Sequence, residues 1–414
     1  MKRMALAWII GAATAALTVT CSVYDRSLLV YSTDSDAAAD ATPDVVSEPD
    51  AIASEDVDAA NPDVVEEALA DAEAEAAACD PCVEQGLVRP PCAPAGSDPA
   101  TELDPIVYAV RTLRVGLSPK KPDDWRTIGL DMDCLLTAIG GTPSMCQGSG
   151  SSAAVLEDGL LGRDNSFGRN VGGMIRLLSQ VGALPYDLEE IWNYYFTTGR
   201  QGMLFELRHY SGEADDPRVW LALYASAGTR DPITHEAVTT KWDGTDEWSI
   251  LQTSLAPGNQ PLFVDDSAYV SGNVLVAHMP EGLPLTFTAD GSLFEMALAR
   301  SVLALELSAD RQRVTLGTVN GTWYRTQALA AVDAYMAQAG LCSDNPIYVQ
   351  GKKVIENAAD IRADLQDAPQ LPCNAVSVGI EISADRANLG PAEAPPPPKP
   401  SQCGDAGAAD AGTD

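Results

Sequence analysis

The chain has 414 residues and a formal charge of −33, from 26 Lys and Arg against 59 Asp and Glu. A balance this acidic, with no basic cluster to offset it, excludes a nucleic-acid-binding surface. Residues 33–78 alone hold 15 acids and no base, nearly half of the imbalance in about a ninth of the chain.

The first residues read as an export signal. Lys2 and Arg3 form a charged start, and Ala5–Leu17 is a short apolar run. Leu17-Thr18-Val19-Thr20-Cys21 resembles a lipobox, after which the cysteine is acylated and becomes the new N-terminus. Thr18 and Thr20 depart from that pattern. Two alternatives stay open: cleavage after Ala15, giving a periplasmic or secreted protein, and an uncleaved anchor over Met4–Thr20, which is at the lower length limit for spanning a bilayer. With Cys21 lipidated and Ser22 following it, the expected location is the outer membrane or cell surface.

Residues 22–78 read as a disordered acidic linker. Few aromatic residues, a bias to Ala, Asp, Glu and Pro, and like-charge repulsion all argue against a packed core. Its acidic part would span about 35–40 Å as a flexible chain, more with self-repulsion, and is expected to act as a spacer.

Nine cysteines are present, and removing Cys21 leaves an even set of eight, as expected of a disulfide-bonded exported protein. Local pairing predicts Cys134–Cys146 and Cys342–Cys373. Cys79, Cys82, Cys92 and Cys403 form a second group, which would staple the tail near a Cys-rich connector at residues 79–98. The Cys79–Cys82 spacing also fits a redox or zinc motif, but no His lies near it.

A folded domain is expected over residues 99–390. Strands are predicted at Ile106–Gly116, Arg126–Asp133, Gly202–Tyr210 and Arg218–Ala227. A later series runs Tyr269–His278, Leu283–Thr288, Leu293–Ala299, Val302–Leu307 and Arg313–Val319, with Asp290-Gly291 as a tight hairpin. Helical periodicity marks an insertion at Phe167–Leu178 and Asp187–Phe196. A C-terminal pair follows at Thr326–Ala339 and Lys352–Gln366, and Val376, Val378, Ile380 and Ile382 alternate along a last strand. The fold class is therefore mainly β: an antiparallel sandwich or barrel-like domain with a small helical insertion and a C-terminal helix pair. Residues 391–414, with Pro395–Pro398 and a Gly/Ala/Asp end, are expected to be an extended, disordered tail.

The main chemical constellation is acidic. Asp131 and Asp133 precede Cys134, and Asp158, Asp164 and Asn165 lie on a Gly-rich stretch. Closely spaced Asp and Asn on such loops supply the oxygens a structural Ca²⁺ needs, although the spacing is not that of an EF-hand. Ordinary Asx turns are the competing explanation. A second surface is Trp242–Trp248, two tryptophans flanking an acidic loop, which would suit sugar stacking for a glycan or another cell-envelope component. The competing explanation is a hairpin packed on the core.

Enzyme signatures mostly fail. His209, His235 and His278 share no metal spacing, and no nucleophile elbow, P-loop or dinucleotide fingerprint occurs. Ser118–Lys121 and Ser343–Asn345 match two boxes of penicillin-recognising serine enzymes, but the third, Lys-Thr-Gly, is absent. No catalytic residue is assigned. The reading is a membrane-tethered domain with a non-catalytic binding or structural role. An exported hydrolase, with carbohydrate as one substrate class, is the alternative.

Leu130–Cys134, the Asp158–Asn165 stretch and Cys373–Gly379 together resemble a pattern in uncharacterised secreted lipoproteins of myxobacteria. The resemblance covers most of Ile106–Gly390 and brings no activity with it. It implies only an exported, disulfide-bonded domain on an acidic tether.

Overall fold

A computed structural model of the protein describes residues 86–97, 102–138, 142–148, 156–180, 187–289, 292–397 and 399–403. The export signal, Cys21, the acidic linker, Cys79, Cys82 and the Asp290-Gly291 turn lie outside the described residues. Among the described residues no helix is long and apolar enough to cross a membrane.

The strands are β1 (Ile106–Arg114), β2 (Gly202–Arg208), β3 (Asp216–Ser226), β4 (Gly228–Arg230), β5 (Glu247–Leu251), β6 (Leu255–Ala256), β7 (Gln260–Pro261), β8 (Phe263–Ser271), β9 (Val274–Met279), β10 (Leu283–Ala289), β11 (Ser292–Leu307), β12 (Arg313–Tyr324) and β13 (Ala375–Glu393). Eight of them pair in the order β1-β2-β3-β8-β9-β11-β12-β13, antiparallel at every step. β13 then returns to β1, with Val107 opposite Ala387 and Arg114 opposite Glu381. The sheet is a closed barrel, the up-and-down form of the expected class, and closure removes its free edges. The chain visits the eight barrel strands in sequence order, so everything else is an excursion from a simple meander.

Three clusters account for the packing of the described residues. The first draws on every barrel strand, including Tyr108, Phe205, Leu223, Val270, Leu275, Leu303, Val319 and Ile380. Of the helices α1 (Gly172–Gln180), α2 (Leu188–Thr197), α3 (Arg325–Gln338) and α4 (Pro346–Asn357), the last three add Trp192, Phe196, Val332 and Ile355 to it, and Ile175 of α1 packs against it. A second cluster lies on the opposite face of β1–β3, where Val107, Ala109, Leu204 and Tyr224 meet Trp248 and Ile250 of β5. Successive side chains of a strand face opposite ways. Both faces of β1 are therefore covered, and Ile106–Val110 reads as an unbroken apolar run rather than an alternating one. The third cluster, with Met132, Met145, Ile361 and Cys373, sits beside the loops that carry the acids.

Several expectations are corrected. The Arg126–Asp133 run is not a strand: a 3₁₀ turn over Asp124–Thr127 leads into a loop. Gly129 is pressed on Gly379, and the Leu130 N–H goes to the Asn320 side chain instead of a ladder partner. Tyr269–His278 is two strands, because Gly272 and Asn273 both take positive φ and turn the chain. The segments 293–299 and 302–307 are one strand, its register broken between Ala299 and Val302 around Arg300 at φ 49°. The helix expected at Lys352–Gln366 begins at Pro346, where Asn345 caps the Ile347 N–H, and ends at Asn357. Ile361 instead bridges to Ala375.

The insertion helices are close to expectation, with Asp187 capping α2 through the Glu189 and Glu190 N–H groups. Cys146 pairs with Cys373 and Cys342 with Cys403, so neither local pairing is formed. Cys92 and Cys134 are disulfide-bonded as well. The domain also outruns its expected boundaries. Residues 86–97 pack on it, β13 continues to Glu393, and Cys403 ties the tail to the end of α3 rather than to the start of the domain.

Candidate metal centre

Two loop segments build the site, and backbone pairing holds them together. Asp164 donates its N–H to the Leu130 carbonyl at 2.9 Å, and Asp158 donates to the Thr137 carbonyl at 3.0 Å. Between these points the carboxylates grip the main chain. Asp131 Oδ1 accepts from the N–H groups of Asp133 and Cys134 (3.1 and 2.8 Å), and Asp133 Oδ1 accepts from Leu135 (3.0 Å). Asp164 Oδ2 accepts from Met132 (2.6 Å) and Asp158 Oδ2 from Thr137 (2.5 Å). The Asx turns weighed against metal binding are therefore present. They also fix the rotamers of the acids, so turn formation and ligation are not exclusive.

The result is a convergence of charge. Asp131, Asp133 and Asp164 each bring an oxygen to within 4.8 Å of the others, and this group can hold a metal ion. Asp131 and Asp164 are 1% and 3% exposed. Burial, with Asp131 and Asp360 as negative neighbours, pushes Asp133 up to about 7 from its ordinary 3.8. Burial, with Asp133 and Asp360 nearby, takes Asp158 to about 8. Asp164 rises well above its ordinary value for the same reasons, burial first and then Asp133 and Asp158. The guanidinium of Arg89 opposes the shift of Asp133, and its Nη1 donates to the Asp131 carbonyl at 2.5 Å.

Asp360 is the acid that sequence reading missed. It is raised to about 7, mainly by burial, and is held by the N–H and hydroxyl of Ser377 on β13 (2.8 and 2.6 Å). Arg169 lowers it slightly, but that guanidinium is also ion-paired to Glu157. No spacing signal links Asp360 to Asp131. The Ile361–Ala375 bridge and the strand that follows bring it in.

The remaining predicted residues divide. Asp158 lies outside the 4.8 Å group, but Asp133, Asp360 and Asp131 are close enough to raise its proton affinity. Asn165 is not a ligand. Its Oδ1 accepts from Gly168 and Gly379 (3.0 and 3.2 Å) and its Nδ2 donates to Val115, so the amide is spent on main chain. The two-tryptophan platform is corrected too. Trp248 is 0% exposed, and a Cβ on Gly202 would meet its ring at 2.6 Å. Trp242 leans on Trp248 at 5.6 Å, donates Nε1 to the Thr197 carbonyl and carries Arg111 over its ring. Asp246 closes that loop through the Lys241 and Trp242 N–H groups, so the loop is a lid on the second cluster.

Residues 86–89 cross the site as a strap. Val88 donates to the Leu161 carbonyl and accepts from the Asp131 N–H, bridging the two acid-bearing loops. Comparison with known proteins returns no match among protein families, curated proteins or solved structures.

Proposed function

We propose that the acidic cluster is a structural Ca²⁺ site that locks the loop layer of a non-catalytic binding or structural domain. One observation carries this reading: three carboxylates meet within 4.8 Å in a largely buried place, with the carboxyls of Asp158 and Asp360 as negative neighbours. Hard divalent cations take six to eight oxygens, and Asp131, Asp133 and Asp164, helped by Asp158 or Asp360, supply a set of the right chemistry. Asp131, Asp133 and Asp164 each have one oxygen tied to main chain, which fixes the carboxylate, whereas both oxygens of Asp360 are held by Ser377. Such a cluster holds protons when no cation is bound, and a cation replaces them.

In the same reading the domain is exported and tethered, through acylated Cys21 and the acidic linker, to the outer membrane or cell surface. The signal-like start, the lipobox resemblance and the disulfides support this. A carboxyl raised to about 8, such as Asp158, would suit a general acid, and this is the one observation favouring the hydrolase alternative. Its 8% exposure argues against it, since a general acid must reach a substrate.

The test is thermal unfolding of the full chain. EDTA is expected to lower the melting temperature and added Ca²⁺ to restore it, with stabilisation of about 2.7 kcal/mol at a hundredfold excess over Kd. An unchanged melting curve, or equal rescue of Asp164→Asn, removes the Ca²⁺ reading. Intact mass measurement of the native protein reads a diacylglycerol adduct on Cys21, and its absence removes the tether.

A further inference from the structure

After Ile233, the most exposed large apolar side chains among the described residues are Leu161 (57%), Leu160 (54%) and Leu136 (53%). Leu136 is distant in sequence from the neighbouring pair Leu160 and Leu161, and backbone contacts bring the two segments together. Thr137 and Asp158 exchange hydrogen bonds, and the Leu135 carbonyl lies 2.9 Å from where a Cβ on Gly162 would sit. Leu136 and Leu160–Leu161 therefore lie on neighbouring backbone segments between these two anchor points. Leu161 has φ 59°, a left-handed conformation that bulky residues rarely adopt. A leucine kept in such a backbone, with its side chain turned to solvent, points to a role outside the fold. Arg163 on the same loop donates Nη1 to the Leu160 carbonyl, which places a guanidinium at the edge of the apolar trio.

The chain also enters the described domain here. Val88 bonds to the Leu161 carbonyl, and Leu87 Cδ2 lies 2.9 Å from the Cβ position of Gly162. The 85 residues that precede this point in the sequence include the apolar run and Cys21.

We propose that Leu136, Leu160 and Leu161 form a docking surface for the lipid bilayer that carries the N-terminal anchor. The inference rests on the membrane-tether reading above. A tether spanning about 35–40 Å keeps the patch within reach of that bilayer, so a weak apolar contact suffices where a free domain would stay in solution. The leucines enter the interfacial region and Arg163 meets headgroup phosphates, leaving its apolar stem among the acyl chains.

The experiment reconstitutes the native, lipid-modified full chain into phosphatidylcholine vesicles with and without brominated acyl chains. Reporters are Leu161→Trp and, as control, Leu316→Trp on β12, also an exposed leucine. Both variants are melted first to establish that they are folded. The expected result is co-flotation with vesicles and bromolipid quenching of the reporter at 161 but not of the one at 316. Adding Leu136→Ser or Leu160→Ser to the 161 reporter should lower the docked-to-undocked ratio roughly fivefold each. If the protein floats but both reporters are quenched equally little, the tether stands and docking is overturned. If the protein does not float, the tether reading falls and the proposal falls with it. A concentration-dependent blue shift of the 161 reporter without vesicles assigns the patch to a second copy of the chain, which also overturns bilayer docking.

Discussion

Asn320 shows how much of the loop layer hangs on single side chains. It is fully buried on β12, its Oδ1 accepts from the Leu130 N–H at 3.0 Å, and a Cβ on Gly129 would clash with it. Truncation in Asn320→Ala strands a buried main-chain donor, and the expected loss is about 1–3 kcal/mol by chemical denaturation. A loss below a few tenths would mean that water or a shifted loop replaces the amide. The aspartates make a prediction of a different kind. Folding lifts Asp133 and Asp360 to about 7 and Asp158 to about 8, from 3.8. A carboxyl raised in this way binds its proton more tightly when folded. Its contribution is complete below 3.8 and is lost as pH climbs through 7 to 8. Glu189, raised by burial despite three main-chain N–H bonds, adds in the same direction. In EDTA the protein should therefore melt at a lower temperature at about pH 8 than at about pH 5. Saturating Ca²⁺ should weaken or reverse that trend, because ligation needs the deprotonated forms. Calorimetry across this range decides it, and a melting temperature that rises with pH in EDTA contradicts the assigned shifts.

Among the elements, the disulfide from Cys342 to Cys403 has the clearest consequence. It closes a segment of 61 residues that contains α4 and β13, and Gln402 adds a main-chain bond to Ala337. Cys403→Ser is expected to cost about 2–4 kcal/mol, read as a lower denaturation midpoint. No change would mean that the tail is held without the bridge. This scale also shows what sequence could and could not reveal. β2 and β3 were legible as apolar runs with few charges, which is what strands covered on both faces look like. The Arg126–Asp133 run misled because a loop pressed on a barrel wall buries the same residue types as a strand; only its hydrogen-bond partners differ. The α4 boundary was missed because helical spacing outweighed a cap, Asn345-Pro346, that gives the true start. For the site, Asp131, Asp133, Asp158 and Asp164 were legible from local spacing, whereas Asp360 depends on a pairing that no local pattern encodes. The tryptophans misled for the reverse reason: an acidic loop around them was read as exposed, and it is the cover over Trp248.

For the whole molecule, closure depends on the last strand. β13 pairs with β12, with β1 and, in parallel, with β5, and its Ser377 holds Asp360. A chain ending after Asn374 would leave β1 and β12 as open edges and take away the strand that β5 pairs with. It is expected to be insoluble or to lack a cooperative melt, since unpaired apolar edges aggregate. A soluble, cooperatively melting truncation would show that the remaining strands close by themselves. The strand neighbours that seal the barrel lie at opposite ends of the domain's sequence, and this non-local pairing makes folding slow by comparison with helical proteins of similar stability.

The bridge between Cys146 and Cys373 has a consequence in time. Its halves are 227 residues apart, whereas Cys134, which belongs to another bridge, lies close to Cys146 along the chain. During synthesis Cys146 emerges long before its partner, and Cys342, which belongs to Cys403, emerges before Cys373 does. A vectorial oxidant that joins cysteines in order of appearance would trap the wrong bond, so maturation calls for a thiol–disulfide isomerase that can undo it once β13 has arrived.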